Sequence, residues 1–115
     1  MLAKPLPLSW LIHTIQYAAY TDMRDEYGND VISDSVEIAN VRYDDGTNYS
    51  SNLQEDSLKY AGIVFVDAKN STNLPTMFRE KSKVYFEGKE MTINKIVNCY
   101  HPQSNVIHHY ELEVV

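Results

Sequence analysis

The stretch Ser82–Val115, SKVYFEGKEMTINKIVNCYHPQSNVIHHYELEVV, decides the fold. Ser82 to Phe86 and Glu90 to Tyr100 read as strands joined by a tight Glu87-Gly88 turn. A loop at His101 to Asn105 then leads into a third strand, Val106 to Val115. β-branched and aromatic residues bounded by short turn signals favour pleated, half-buried surfaces, so this third of the chain reads as two hairpins in series. Upstream, Ala61 to Ala68 (AGIVFVDA) is an almost unbroken apolar run, the pattern of a central strand buried on both faces. Ser35 to Tyr43 alternates, with Val36, Ile38 and Asn40 on one face and Glu37, Ala39, Val41 and Tyr43 on the other.

Asp22 to Asp34, with Tyr27-Gly28-Asn29-Asp30, reads as a polar turn between β-like runs. Before it, Leu8 to Tyr20 has helical apolar spacing, but Ile12, Thr14, Ile15, Tyr17 and Tyr20 suit a strand, and strand is the assignment taken. Pro5 and Pro7 hold residues 1–9 as an extended N-terminal arm. Asp44 to Leu58 is polar, opens with Asp45-Gly46, and is long for a connection inside a small domain. The 115 residues therefore predict one all-β domain, 1–115: a small β-barrel or two-layer sandwich of about six or seven antiparallel strands, with a long loop between the second and third.

Net charge is −6, which argues against a general polyanion binder, because such affinity comes from phosphate neutralisation by Lys and Arg. The charge is uneven. Asp22 to Asp56 holds ten carboxylates against Arg24 and Arg42, whereas Ser57 to Tyr100 holds seven Lys and Arg against four carboxylates. Segregated in space, these halves would give each subunit two complementary faces, suited to head-to-tail association into a ring. Nine Tyr against three Phe and one Trp favour half-buried pleated surfaces and wet interfaces. No run reaches the length of about 20 apolar residues that spans a bilayer, and the N-terminus lacks a small-residue cleavage site, so the reading expects no membrane span and no signal peptide.

Candidate chemistry is sparse. Cys99, His101, His108 and His109 invite a zinc site, but they lack paired two-residue spacings, and adjacent strand residues His108 and His109 should face opposite ways, so no metal is assigned. Cys99 in its apolar run reads as a small buried hydrophobe. Neither Gly28 nor Gly46 sits in a calcium loop, because Met23 or Val41 would stand where the first carboxylate belongs. Glu111 and Glu113, on one strand face, read as a solvated surface. There is no nucleophile elbow and no glycine-rich phosphate loop, hence no catalytic or cofactor-binding residue is assigned and no enzymatic activity is expected.

The segments YGND (27–30), IANVRYDDGTNYS (38–50), IVFVDAKNST (63–72), FREKSKVYFEGKEMTI (78–93) and IHHYELEVV (107–115) together resemble the minor capsid proteins of tailed phages and prophages of Gram-positive bacteria. These are similar to head-completion proteins of the head-tail connector, also called stoppers or head-closure proteins. The resemblance runs from about Tyr17 to Val115 and is a pattern of segments rather than a catalytic signature. It implies a small β-barrel, monomeric in isolation, whose copies form a ring in the virion. The ring would sit beneath the portal and adaptor and above the tail terminator, with transient contact to packaged DNA, after synthesis in the host cytoplasm. In related stoppers the loop between the second and third strands lines or closes the channel. The matching residues here are Asp44, Asp45, Asn48, Tyr49, Asn52, Glu55 and Asp56, whose carboxylates would repel a DNA end. The apolar arm residues Leu6, Leu8 and Trp10 become candidates for core or for donation to a neighbour.

A competing reading is an OB-like barrel that binds single-stranded nucleic acid, with Tyr85, Phe86 and Tyr100 as stacking platforms and Lys81, Lys83 and Lys95 as the basic groove. The acidic total and the lack of an RNP-like motif weigh against it.

Overall fold

The computed structural model describes residues 3–45 and 62–115. Eight strands are present among them: β1 (His13–Ala18), β2 (Tyr20–Arg24), β3 (Asp30–Ile32), β4 (Val36–Asp45), β5 (Gly62–Asp67), β6 (Lys83–Phe86), β7 (Lys89–Tyr100) and β8 (Ile107–Val114). Six of them close into an antiparallel barrel in the order β1-β4-β5-β8-β7-β6, with β6 pairing back onto β1. In chain order, the break between β4 and β5 falls between the second and third barrel strands, as expected. Asp45 and Gly62 are register partners, so the connection leaves and re-enters the barrel at one point on its rim. The interior is filled by inward side chains of every barrel strand, among them Ile15, Ile38, Val64, Val84, Ile93 and Leu112. Burying each such aliphatic side chain contributes about 1.5 to 3 kcal/mol.

The meander is as the sequence indicates. Glu87 (φ 49°) and Gly88 (φ 79°) are both left-handed, the requirement of a two-residue type I′ hairpin whose twist matches its strands. Elsewhere the structure corrects the expectations. Pro7 accepts hydrogen bonds from the amides of Trp10 and Leu11, making a turn that delays the first strand to His13. The polar segment 22–34 is not merely a turn: β2 and β3 form a separate two-stranded sheet. Its tip is organised by Asp25, whose carboxylate accepts from the amides of Tyr27 and Asn29.

The simple alternation of β4 also fails. Ile38 and Val41, three residues apart, both point inward, because Asn40 (φ 58°) is the extra residue of a β-bulge opposite β1. Asn tolerates that left-handed backbone, and its side-chain amide donates to the Asn70 carbonyl. β5 is not buried on both faces. Val64 and Val66 fill the barrel, whereas Ile63 and Phe65 on the outer face are half-buried, Phe65 beneath an edge-to-face contact with Trp10 at 5.1 Å.

Asp67, at the end of β5, has no solvent exposure. Its carboxylate accepts from the amides of Leu6 (2.8 Å), Lys69 (2.9 Å) and Asn70 (2.7 Å), while its own amide donates to Ser71 Oγ (2.9 Å). Full pairing is what allows a carboxylate to sit inside. Asp67→Asn replaces one acceptor oxygen by a donor facing amide donors, and a loss of about 2 to 4 kcal/mol is expected in urea unfolding; a change below about 0.5 kcal/mol would contradict this account of the carboxylate. A Cβ added at Gly62 would meet the Asp44 carbonyl and lie 2.8 Å from the Tyr43 ring. Gly62→Ala is therefore expected to cost about 1 to 3 kcal/mol in the same measurement, because backbone cannot swing aside as a side-chain tip can.

Candidate functional site

Two features converge where β5, β7 and β8 meet: the docking of the N-terminal arm and a cluster of histidines. The arm lies across its own barrel, held by side chains rather than by a ladder. The Ala3 amide donates to His101 Nδ1 (2.9 Å), the Lys4 carbonyl faces His108 Nε2 (2.6 Å), the Leu6 amide donates to Asp67, and the Leu6 carbonyl accepts from the Asn70 side-chain amide (2.8 Å). Arm and barrel enclose a cleft of about 330 Å³ lined by Ala3, Pro5, Ala68, His101, Val106 and His108. Of the arm residues singled out from the sequence, Leu6 and Trp10 are half-buried against the barrel, with Arg42 stacked 5.2 Å from the Trp10 ring centre. Leu8 is 57% exposed, and nearby Ile12 is 64% exposed.

The histidines depart from the strand rule. Cys99 pairs with His109 and Tyr100 with Ile107, so His108 is the extra residue of a bulge in β8. The bulge turns His108 toward its neighbour, and the two Nδ1 atoms stand 2.7 Å apart instead of on opposite faces. Beyond them, His109 Nε2 lies 3.1 Å and Cys99 Sγ 3.5 Å from Glu111 Oε2. Glu111 is thus half-buried and engaged, not a solvated strand carboxylate, and Cys99 is half-buried beside a charge rather than sealed among hydrophobes. Burial, then the charge of Glu111 and its hydrogen bond, push the Cys99 thiol up to about 11. Of the four residues grouped from the sequence, Cys99 and His109 converge with Glu111, while His101 and His108 hold the arm. Glu111 and Asp67 escaped the sequence reading because their partners come from a bulged register and from an arm some 61 residues away.

The channel-loop candidates divide. Asp44 and Asp45 end β4, and Asp44 pairs with Arg42 at 3.3 Å. Asn48, Tyr49, Asn52, Glu55 and Asp56 lie outside the described residues. The stacking surface of the competing reading does not assemble. Tyr85 pairs with Glu90, ten residues before Tyr100 on β7, a separation of roughly 30 Å at strand rise. Phe86 packs against His13 and Tyr43, Lys83 reaches Thr92 and Glu90, and Lys95 stands opposite Glu113. Charge segregation is partial: β2–β3 carries exposed carboxylates, yet its base meets Arg79 and Lys81 over the Tyr20 ring.

Comparison with known proteins bears on the whole of this arrangement. A curated relative, the "uncharacterized protein ORF5" of Lactococcus phage LL-H, is 25% identical over 116 aligned residues, covering 96% of this chain and 98% of its own. No solved structure matches. The family model described as minor capsid protein matches residues 7–114, a span that takes in Asp67, the histidine cluster and all eight strands. The chain therefore belongs to the minor capsid protein family and is a structural protein of the phage virion.

Proposed function

We propose that this protein completes the phage head and joins it to the tail. Copies form a ring of the head-tail connector, beneath the portal and adaptor and above the tail terminator, and packaged DNA passes through the ring. The observation that carries this reading is barrel closure combined with an apolar arm. β1 and β6 pair, so among the described residues the barrel itself offers no open strand edge for a partner to extend, which leaves loops, faces, the small β2–β3 sheet and the arm as meeting surfaces. Leu8 and Ile12, on either side of Trp10, leave an apolar surface on a segment whose backbone is already fixed to its own barrel. A surface of that kind suits docking without loss of fold, and it fits a subunit that is monomeric until a portal and adaptor template the ring.

The loop between β4 and β5 is the channel-closing element in this reading. Its acidic residues oppose DNA entry, while Asp45 and Gly62 anchor it at one point on the rim.

The double variant Leu8→Asp/Ile12→Asp removes apolar surface that is exposed in the monomer, so its melting temperature should stay within about 3 °C of wild type. Its incorporation into rings on portal and adaptor complexes, counted by negative-stain electron microscopy, should nonetheless fall at least tenfold. Wild-type incorporation would remove the arm from the interface, and failure of the wild-type protein to join such complexes at all would overturn the connector assignment. Deleting residues 48–56 should leave assembled heads unable to retain DNA; heads that hold DNA as well as wild type would dismiss the loop as a gate.

A further inference from the structure

Around Glu111 the hydrogen-bond partners constrain where the histidine protons sit, and with neutral rings two acceptors are left facing one another. The Lys4 carbonyl can only accept, so the proton between it and His108 Nε2 belongs to the histidine. In a neutral His108 ring, Nδ1 is then a lone pair, and the proton shared across 2.7 Å must sit on His109 Nδ1. That leaves His109 Nε2 as a lone pair aimed at Glu111 Oε2, itself an acceptor, 3.1 Å away. Two acceptors hold such a distance only with a positive centre between or beside them. An added proton would satisfy that pair, and the Cys99 thiol donates to the same oxygen at 3.5 Å; once deprotonated, its sulfur is a third Lewis base, and all three ligand atoms lie within 4.8 Å of one another.

We propose that Cys99 Sγ, His109 Nε2 and Glu111 Oε2 bind one divalent transition-metal ion of the zinc class, with a fourth position open to water or to a donor from another copy. Around a tetrahedral zinc, bonds of about 2.0 to 2.3 Å place ligand atoms roughly 3.3 to 3.8 Å apart, so the Cys99–Glu111 separation of 3.5 Å already suits the ion and the His109–Glu111 separation of 3.1 Å must open slightly. Thiolate, imidazole and carboxylate together select zinc over magnesium or calcium, which take oxygen ligands. On binding, the thiol proton leaves to solvent, and the charges of thiolate and carboxylate balance the ion. The outer hydrogen bonds fit as well. A metal-bound histidine ordinarily donates its other N–H to an oriented acceptor. Here His109 donates to His108, and His108 donates to the Lys4 carbonyl, so the ion is wired to the arm. His108 is a positioning residue, not a ligand.

The test uses the purified full chain, stripped of metal and titrated with zinc or cobalt(II). Wild type should bind one equivalent of either. Cobalt should give thiolate-to-metal charge-transfer absorption in the near ultraviolet, and zinc should slow iodoacetamide alkylation of Cys99 at least tenfold. Cys99→Ser and His109→Asn, each verified as folded by circular dichroism, should lose about a hundredfold or more in affinity. His108→Ala should lose about tenfold to a hundredfold while retaining the cobalt charge-transfer band, the behaviour of a residue acting through another. Should either variant fail to fold, the charge-transfer band and the alkylation rate of wild type decide the matter alone. Absence of stoichiometric binding by wild type, binding without the charge-transfer band, or equal affinity in Cys99→Ser would overturn the site. None of these outcomes depends on whether the protein forms a connector ring.

Discussion

A carboxylate with no access to water organises this subunit. Asp67 closes β5, and its two oxygens gather amides from the arm at Leu6 and from the following turn at Lys69 and Asn70. A buried charge is tolerated only when its lone pairs are occupied, so the arm and the turn are conditions for one another. From that turn, Ser71 bonds the Asn40 carbonyl, and Thr72 Oγ1 accepts from the Ala39 amide, which ties the bulge of β4 into the same network. The apolar interior supplies most of the driving force, but this polar cluster fixes how the N-terminal arm, the turn after β5 and the bulged β4 lie relative to one another.

Bulges do similar positioning work around the barrel. The ladders slip by one residue at Asn40, Asn94 and His108. Each slip lets a long strand bend around a narrow interior, and each re-aims a side chain. At Asn40 the slip brings Val41 into the core; at His108 it brings two imidazoles into contact and leaves Cys99, His109 and Glu111 facing one another. The chemistry at that end of the molecule is a by-product of strand curvature held in place by the arm.

Much of the architecture was legible in the sequence. The two C-terminal hairpins, the apolar β5, the long interruption after β4 and the all-β class follow from alternation and turn chemistry, which act over a few residues. The Glu87-Gly88 turn shows why: both residues must be left-handed, and the pair advertises it. The errors lie where distant partners decide. Alternation placed Asn40 inward and His108 opposite His109, and both were undone by a single inserted residue. The Asp22–Asp34 segment looked too polar for strands, yet two short strands with exposed side chains need little apolar content when their turn is organised by Asp25. Glu111 read as solvated because nothing local marks the cysteine across the ladder. The carboxylate that matters most for the fold, Asp67, sits at the end of an apolar run, and its arm partner is far away in sequence.

The join between β1 and β6 is the shortest ladder in the barrel, running only from Gln16↔Tyr85 to Ala18↔Lys83. It also unites segments that are among the most remote in the chain, so it is the costliest in loop entropy and the last to be rewarded during folding. Hydroxyl groups supplement its few backbone bonds. Tyr17 Oη accepts from the Arg79 amide and meets Ser82 Oγ, which in turn accepts from the Tyr20 amide. A barrel opened at this seam presents two bare edges of matching register. Each would fit the complementary edge of an identical molecule as well as its own, so the pairing that seals the monomer is the one whose loss would leave the chain open to joining a second copy.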